Sequence, residues 1–242
     1  MPFQQLLDSG QLPAWLLQVL STLYDGQDPE TAARWGRRIT RRVPADGQLP
    51  FAVLHDWQAR TVVPMMAAAE QPEGVAEQPA AELRRMHARA AAGNRFEVSD
   101  WRAAIEPVLH QLYRDAYGYA DAYATAHASA SAYAAANNFS PDGAVRFADS
   151  YAADSTEANR QSYAESNAVA NAALLAVAYT SCDAQAYAET YPFALLSACT
   201  HAWANRTAPA ADQESAADRP ALRQAGYARL AEGLADSLTR MC

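Results

Sequence analysis

Between residues 116 and 205 the chain places ten charged side chains in ninety positions, whereas charged residues make up 19% of the whole sequence. Alanine, tyrosine, serine and asparagine fill the gap. Alanine is the strongest helix former, and it lets helix axes approach closely. A stretch of this texture is therefore restricted to long, tightly packed helices. Helices so poor in charge are usually buried on most sides, so the segment is expected to form the centre of the fold.

The rest of the chain reads the same way. Alanine occurs 58 times in 242 residues, and no segment alternates as a half-buried strand would. Pro13 opens a helix with Trp15, Leu16, Val19, Leu20 and Leu23 on one stripe. Asp28-Pro29-Glu30 and Ser140-Pro141-Asp142 are helix starts, each a capping side chain followed by proline and an acid. Ser99 or Asp100 is expected to cap a helix near 100, with Pro107 a kink or its true start. Residues 43–50 read as a loop, and 70–79 and 206–217 as linkers. The expectation is an all-α, Ala-rich bundle of eight or nine helices with two long central ones, 108–136 and 141–180. Residues 1–69 are expected to form an N-terminal helical subdomain and 80–242 an Ala/Tyr-rich helical bundle with one continuous core.

A net charge of −8 argues against a nucleic-acid backbone as the main partner. The one basic run, Arg37, Arg38, Arg41 and Arg42, reads as the cationic end of a helix. No apolar run is long enough to cross a membrane, and no leader sequence is visible, so a cytoplasmic protein is expected. Cys182, Cys199 and Cys242 lack metal spacing and read as free thiols. The five histidines form no zinc or di-iron motif, and there is no Gly-rich phosphate loop or GxSxG elbow, so neither cofactor nor metal is expected. Lysine is absent, which excludes Schiff-base chemistry. Codon usage in a GC-rich bacterial genome accounts for that absence more cheaply than avoidance of a reactive amine.

The candidate site follows from where polar residues stand in the charge-poor stretch. Asp121 is the sole charge between Asp115 and Asp142, and Glu165 is the last before Asp183. A carboxyl held among apolar helices suits general acid or base work. Tyr119, Tyr123 and His127 share one stripe at four-residue spacing, and Tyr163, Asn167 and Asn171 share another. One reading is core filling, with tyrosines plugging gaps between alanines. The other is a pocket between the two long helices. In that pocket Asp121, Glu165, His127 and Tyr123 are catalytic, and Tyr163, Asn167, Asn171 and Tyr119 bind substrate. The function then expected is a cofactor-free enzyme performing cyclisation, isomerisation or elimination on a small molecule, as in a bacterial secondary-metabolite pathway. The alternative is a non-catalytic helical binding protein of immunity, carrier-binding or scaffold type, with a protein partner or a second copy of itself. The two part on geometry: carboxylates converging in a closed cavity favour the enzyme, and splayed carboxylates beside exposed apolar groups favour the binder.

Overall fold

The computed structural model describes residues 2–44, 47, 49–67, 79–207 and 213–242. They are helical throughout, and no strand occurs among them. The helices are α1 (Phe3–Leu7), α2 (Ala14–Asp25), α3 (Pro29–Ile39), α4 (Phe51–Trp57), α5 (Val63–Met66), α6 (Pro79–Ala91), α7 (Val98–Ala116), α8 (Tyr119–Ala136), α9 (Pro141–Ser181), α10 (Ala184–Ala188), α11 (Pro192–Thr207) and α12 (Gln213–Met241). Twelve segments exceed the eight or nine expected because several are one or two turns long. The linker expected at 70–79 lies outside the described residues except for Pro79, which opens α6. That expected at 206–217 is narrower: α11 continues to Thr207 and α12 begins at Gln213.

Local chemistry sets most starts. Asp28 Oδ1 accepts from the amides of Glu30 (3.1 Å) and Thr31 (3.0 Å), and Pro29 supplies the first helical φ of α3. Those amides hold the Asp28 carboxyl below its ordinary pKa. Ser140 Oγ caps α9 by accepting from Gly143 N at 3.3 Å. At α7 the cap is Glu97, and Asp100 is its reciprocal partner three residues on. Pro107 lies inside α7 rather than at its start. Between α4 and α5 the helix widens into a π-turn over Gln58–Val62. Pro64 follows directly; it has no N–H to donate, and its ring excludes the carbonyl four residues back, so a wider register relieves the conflict.

One apolar core joins both halves of the chain. Its buried members run from Leu6 through Trp15, Trp35 and Trp57 to Trp101, Tyr179, Leu196 and Leu238. Helix α12 packs on α2, α3, α4 and α11. The indoles of Trp35 and Trp57 donate to successive α12 carbonyls, Ala231 (2.9 Å) and Leu230 (3.0 Å). Gly233 permits this approach: a Cβ there would lie 2.1 Å from Thr61 Oγ1 in the π-turn.

The long helix expected at 108–136 is two helices. Backbone at Tyr117 and Gly118 leaves the helical region, with ψ of 80° and 153°. Side chains distant in sequence take up the carbonyls freed there. Arg160 donates to Arg114 O and Tyr117 O (both 2.9 Å), and Asn205 to Asp115 O (2.9 Å) and Ala116 O (3.2 Å). Helices α7 and α8 then run in sequence antiparallel to α9, whose 41 residues span about 60 Å.

Candidate functional site

The two ends of this hairpin differ. Helix α7 and the C-terminal half of α9 lie in the core, whose buried members include Tyr113 and Ala164 but nothing between them. Beyond the break, α9 is the helix against which α8 packs. Residues 119–157 thus form a two-helix arm extending from the bundle. Its seam is Ala122, Ala126, Ala130 and Ala134 against Ala148, Ala152 and Thr156. The four-residue spacing keeps small side chains on the facing ridges, so the axes lie close and nothing larger enters.

The larger side chains are consequently left outside the seam. Tyr133, Phe139, Phe147 and Tyr151 gather at the tip, around the Asn137-Asn138 turn. Phe147 is central, with ring centroids 5.7 Å from Tyr133, 5.4 Å from Phe139 and 6.1 Å from Tyr151. With Ser129 and Ala130 they line an uncharged cleft of about 500 Å³. Tyr133, Phe139 and Tyr151 keep 56%, 42% and 44% of their surface exposed. Together they make a contiguous exposed apolar patch.

The residues singled out in the sequence fall into three places. Tyr119, Tyr123 and His127 stack down one flank of α8, with centroids 6.3 and 6.2 Å apart, and His127 Nε2 reaches Asp149 Oδ1 across the seam at 3.3 Å. Tyr163, Asn167 and Asn171 lie at the root of the arm. There the Tyr163 ring packs on Tyr117 at 5.0 Å and edge-on to Tyr113 at 6.3 Å. The Asn167 and Asn171 amides turn back onto the carbonyls of Tyr163 (2.8 Å) and Asn167 (2.9 Å) in their own helix. Asp121 stands exposed in the first turn of α8, where it complements the positive end of the helix dipole. Glu165 is also exposed, on the rim of a groove of about 530 Å³ that it shares with Glu106, His110 and Gln161. That groove lies between α7 and α9, and no α8 residue lines it. The two carboxylates therefore open onto different stretches of surface.

Two groupings escaped the sequence reading. One is the tip cluster, whose signal is the four-residue spacing of Phe147 and Tyr151 and the ring on each side of the turn. The other is a buried polar cluster in the core. His55 and His87 face each other with Nδ1 atoms 2.9 Å apart, walled by Trp101 and Tyr179. Burial pushes the His55 pKa down to about 4 and that of His87 well below the usual range, where the neighbouring His55 adds to the effect. Burial likewise raises the Tyr113, Tyr179 and Tyr187 hydroxyls and pushes the Cys199 thiol up to about 12. Burial thus favours the neutral form of every one of them near pH 7.

The basic run at the end of α3 lines a groove closed by the C-terminal turn of α12. Arg38 pairs with Glu232 and Asp236, and Arg42 donates to Ala235 O at 3.1 Å. Among the described residues no three His, Cys, Asp or Glu side chains are placed to hold a metal ion, and no helix is long and apolar enough to cross a membrane. Compared with known proteins, the chain matches no family model, no curated protein and no solved structure.

Proposed function

We propose that this is a non-catalytic helical binding protein of scaffold type, whose arm presents an aromatic tip to a protein surface. One observation carries the reading: a cluster of four rings packed around Phe147, three of them exposed, stands at the end of an arm whose seam admits only alanine and threonine. Rings that cannot enter their own seam are available to a partner, and aromatic anchors dominate binding energy at interfaces. The separation of Asp121 from Glu165 supports the same reading, because divided acid–base work requires both groups at one substrate.

Native mass spectrometry of the chain purified from its host tests this. A protein adduct on the parent, lost in Phe147→Ser/Tyr151→Ser while helical circular dichroism is kept, is the expected result. An unadducted parent that behaves as its variant overturns it. The groove beside Glu165 and His110 favours a second reading, acid–base chemistry on a small molecule. That reading predicts a retained small molecule, released by Glu165→Gln and unaffected by the tip substitutions.

A further inference from the structure

We propose that the partner of the arm is a second copy of this chain, packed cleft to cleft about a two-fold axis normal to the arm; this rests on the binding reading above. Three features select that occupant. The first is charge. The cleft is lined by Ser129, Ala130, Tyr133, Phe139, Phe147 and Tyr151, none of them charged. Phe147 and Tyr151 share one flank of α9 at four-residue spacing. Asp142, Arg146 and Asp149 follow one another at four and three residues on the opposite flank, the one from which Asp149 meets His127. A two-fold axis through the cleft thus opposes ring to ring and keeps these charges outside, while Asp154, three residues past Tyr151 on the cleft's own flank, stands exposed at the rim of the overlap. An isologous contact requires a patch that complements itself, and an uncharged aromatic cleft does.

The second feature is reach. Helix α8 has 18 residues and extends about 27 Å. An axis normal to the arm puts the two bundles at opposite ends, so only the distal arms overlap and the bodies stay clear of each other.

Area is the third. A fully buried aromatic side chain covers about 150–250 Å². At the exposures of Tyr133, Phe139 and Tyr151, three rings from each copy offer on the order of 600 Å². Phe147, Ser129, Ala130 and the turn at 137–140 widen the contact to roughly 1,000 Å², the lower end for a specific interface. A contact of that size belongs with the weak, reversible interfaces. Two chains of net charge −8 repel, so added salt strengthens it by screening. A basic partner would show the reverse.

Sedimentation of the pure 242-residue chain from about 1 to 200 µM decides the matter. Expected is a shift from the 26.1 kDa monomer to twice that mass, with the midpoint moving to lower concentration between 0.05 and ~0.3 M salt. Phe147→Ser/Tyr151→Ser should stay monomeric with unchanged circular dichroism, and Tyr123→Ser, on the other flank, should dimerise as the parent does. A second variant needs no loss of fold: Ser129→Cys, beside the axis, should give a disulfide-linked dimer under mild oxidation in excess of the parent. A parent monomeric at the highest concentration, or a dimer indifferent to the tip substitutions, overturns the inference. If that monomer still carries a host protein that the tip variant releases, the binding reading survives alone; if it carries none, both fall.

Discussion

Acidification from pH 7 to pH 5 should cost this fold about 2 kcal/mol through one buried side chain. His55 on α4 meets His87 on α6 with Nδ1 atoms 2.9 Å apart, so one ring donates and the other accepts and both are neutral. The Trp101 ring lies parallel to His55 at 5.6 Å, and Tyr179 closes on His87 edge-on at 4.8 Å. His55 Nε2 is buried without a partner. One added proton would place a charge among aromatic walls with no counter-ion, and a second would set two Nδ1–H donors against each other. Burial accordingly pushes His55 from 6.5 down to about 4 and His87 well below 6.5.

In the unfolded chain both rings take up protons as the pH falls through 6.5, and in the folded chain they do not. The unfolded state gains about 1.4 kcal/mol per ring for each pH unit in that window. Stability is whole above pH 6.5 and declines toward pH 4. His55 alone accounts for about 2 kcal/mol at pH 5, a fall in melting temperature of about 4–8 °C for a chain of this size, and His87 adds to it. Urea unfolding at pH 7, 6 and 5, followed by tryptophan fluorescence, measures the effect as a falling midpoint at constant slope. Asp56 does not confuse the window. Its own burial opposes ionisation, but hydrogen bonds from Arg240, Arg60 and Ser237 outweigh that and hold its pKa below 3.8, so its contribution is lost only at lower pH. A midpoint flat from pH 7 to 5, or a His55→Phe/His87→Phe variant with the parent's pH slope, would refute the reasoning.

Two further perturbations test the packing. Gly233→Ala gains about 1 kcal/mol of helix propensity but brings a methyl to 2.1 Å from Thr61 Oγ1 and 2.7 Å from its Cβ. Overpacking of about 1–3 kcal/mol wins, so the melting temperature should fall; a rise would show that α12 shifts freely over the π-turn. Arg206 binds Asp115 Oδ2 (2.8 Å) and the carbonyl of Met66 (3.1 Å), and both side chains of the pair are largely shielded. Arg206→Met should cost about 1–3 kcal/mol, because Asp115 keeps only Gln111 and the Met66 carbonyl loses its donor, read as a lowered urea midpoint that Asp115→Asn partly restores.

Elements specified by neighbouring residues were legible in the sequence. The stripe from Trp15 to Leu23 is buried at every expected position, and the caps at Asp28 and Ser140 act on the amides their spacing implies. Elements decided by distant residues were not. The break at Tyr117-Gly118 is held by Arg160 and Asn205, which come from other helices. Pro220 lies within α12, whose first turns occupy residues 213–217 of the stretch expected as a linker. Proline is compatible with the first turn of any helix, but whether an earlier turn precedes it depends on what that turn packs against.

The charge deficit that pointed to a buried centre has two separate causes, and the candidate site turns on the difference. From Ala164 to Tyr179 it reflects burial, since Ala164, Ala168, Ala172, Leu175 and Tyr179 are core residues. On α8 it does not: four alanines are buried, and the remaining alanines are exposed. Alanine stabilises a helix equally well in water, having no side-chain entropy to lose and no polar group to satisfy. An uncharged helix built of alanine is therefore silent about which face, if any, is covered. Ring placement carries the information instead. A tyrosine inside a close alanine seam would force the helices apart, so each ring on the arm must point out of it. The same pattern that suggested a pocket between two helices places these rings on the outside of the pair, where only another molecule can cover them.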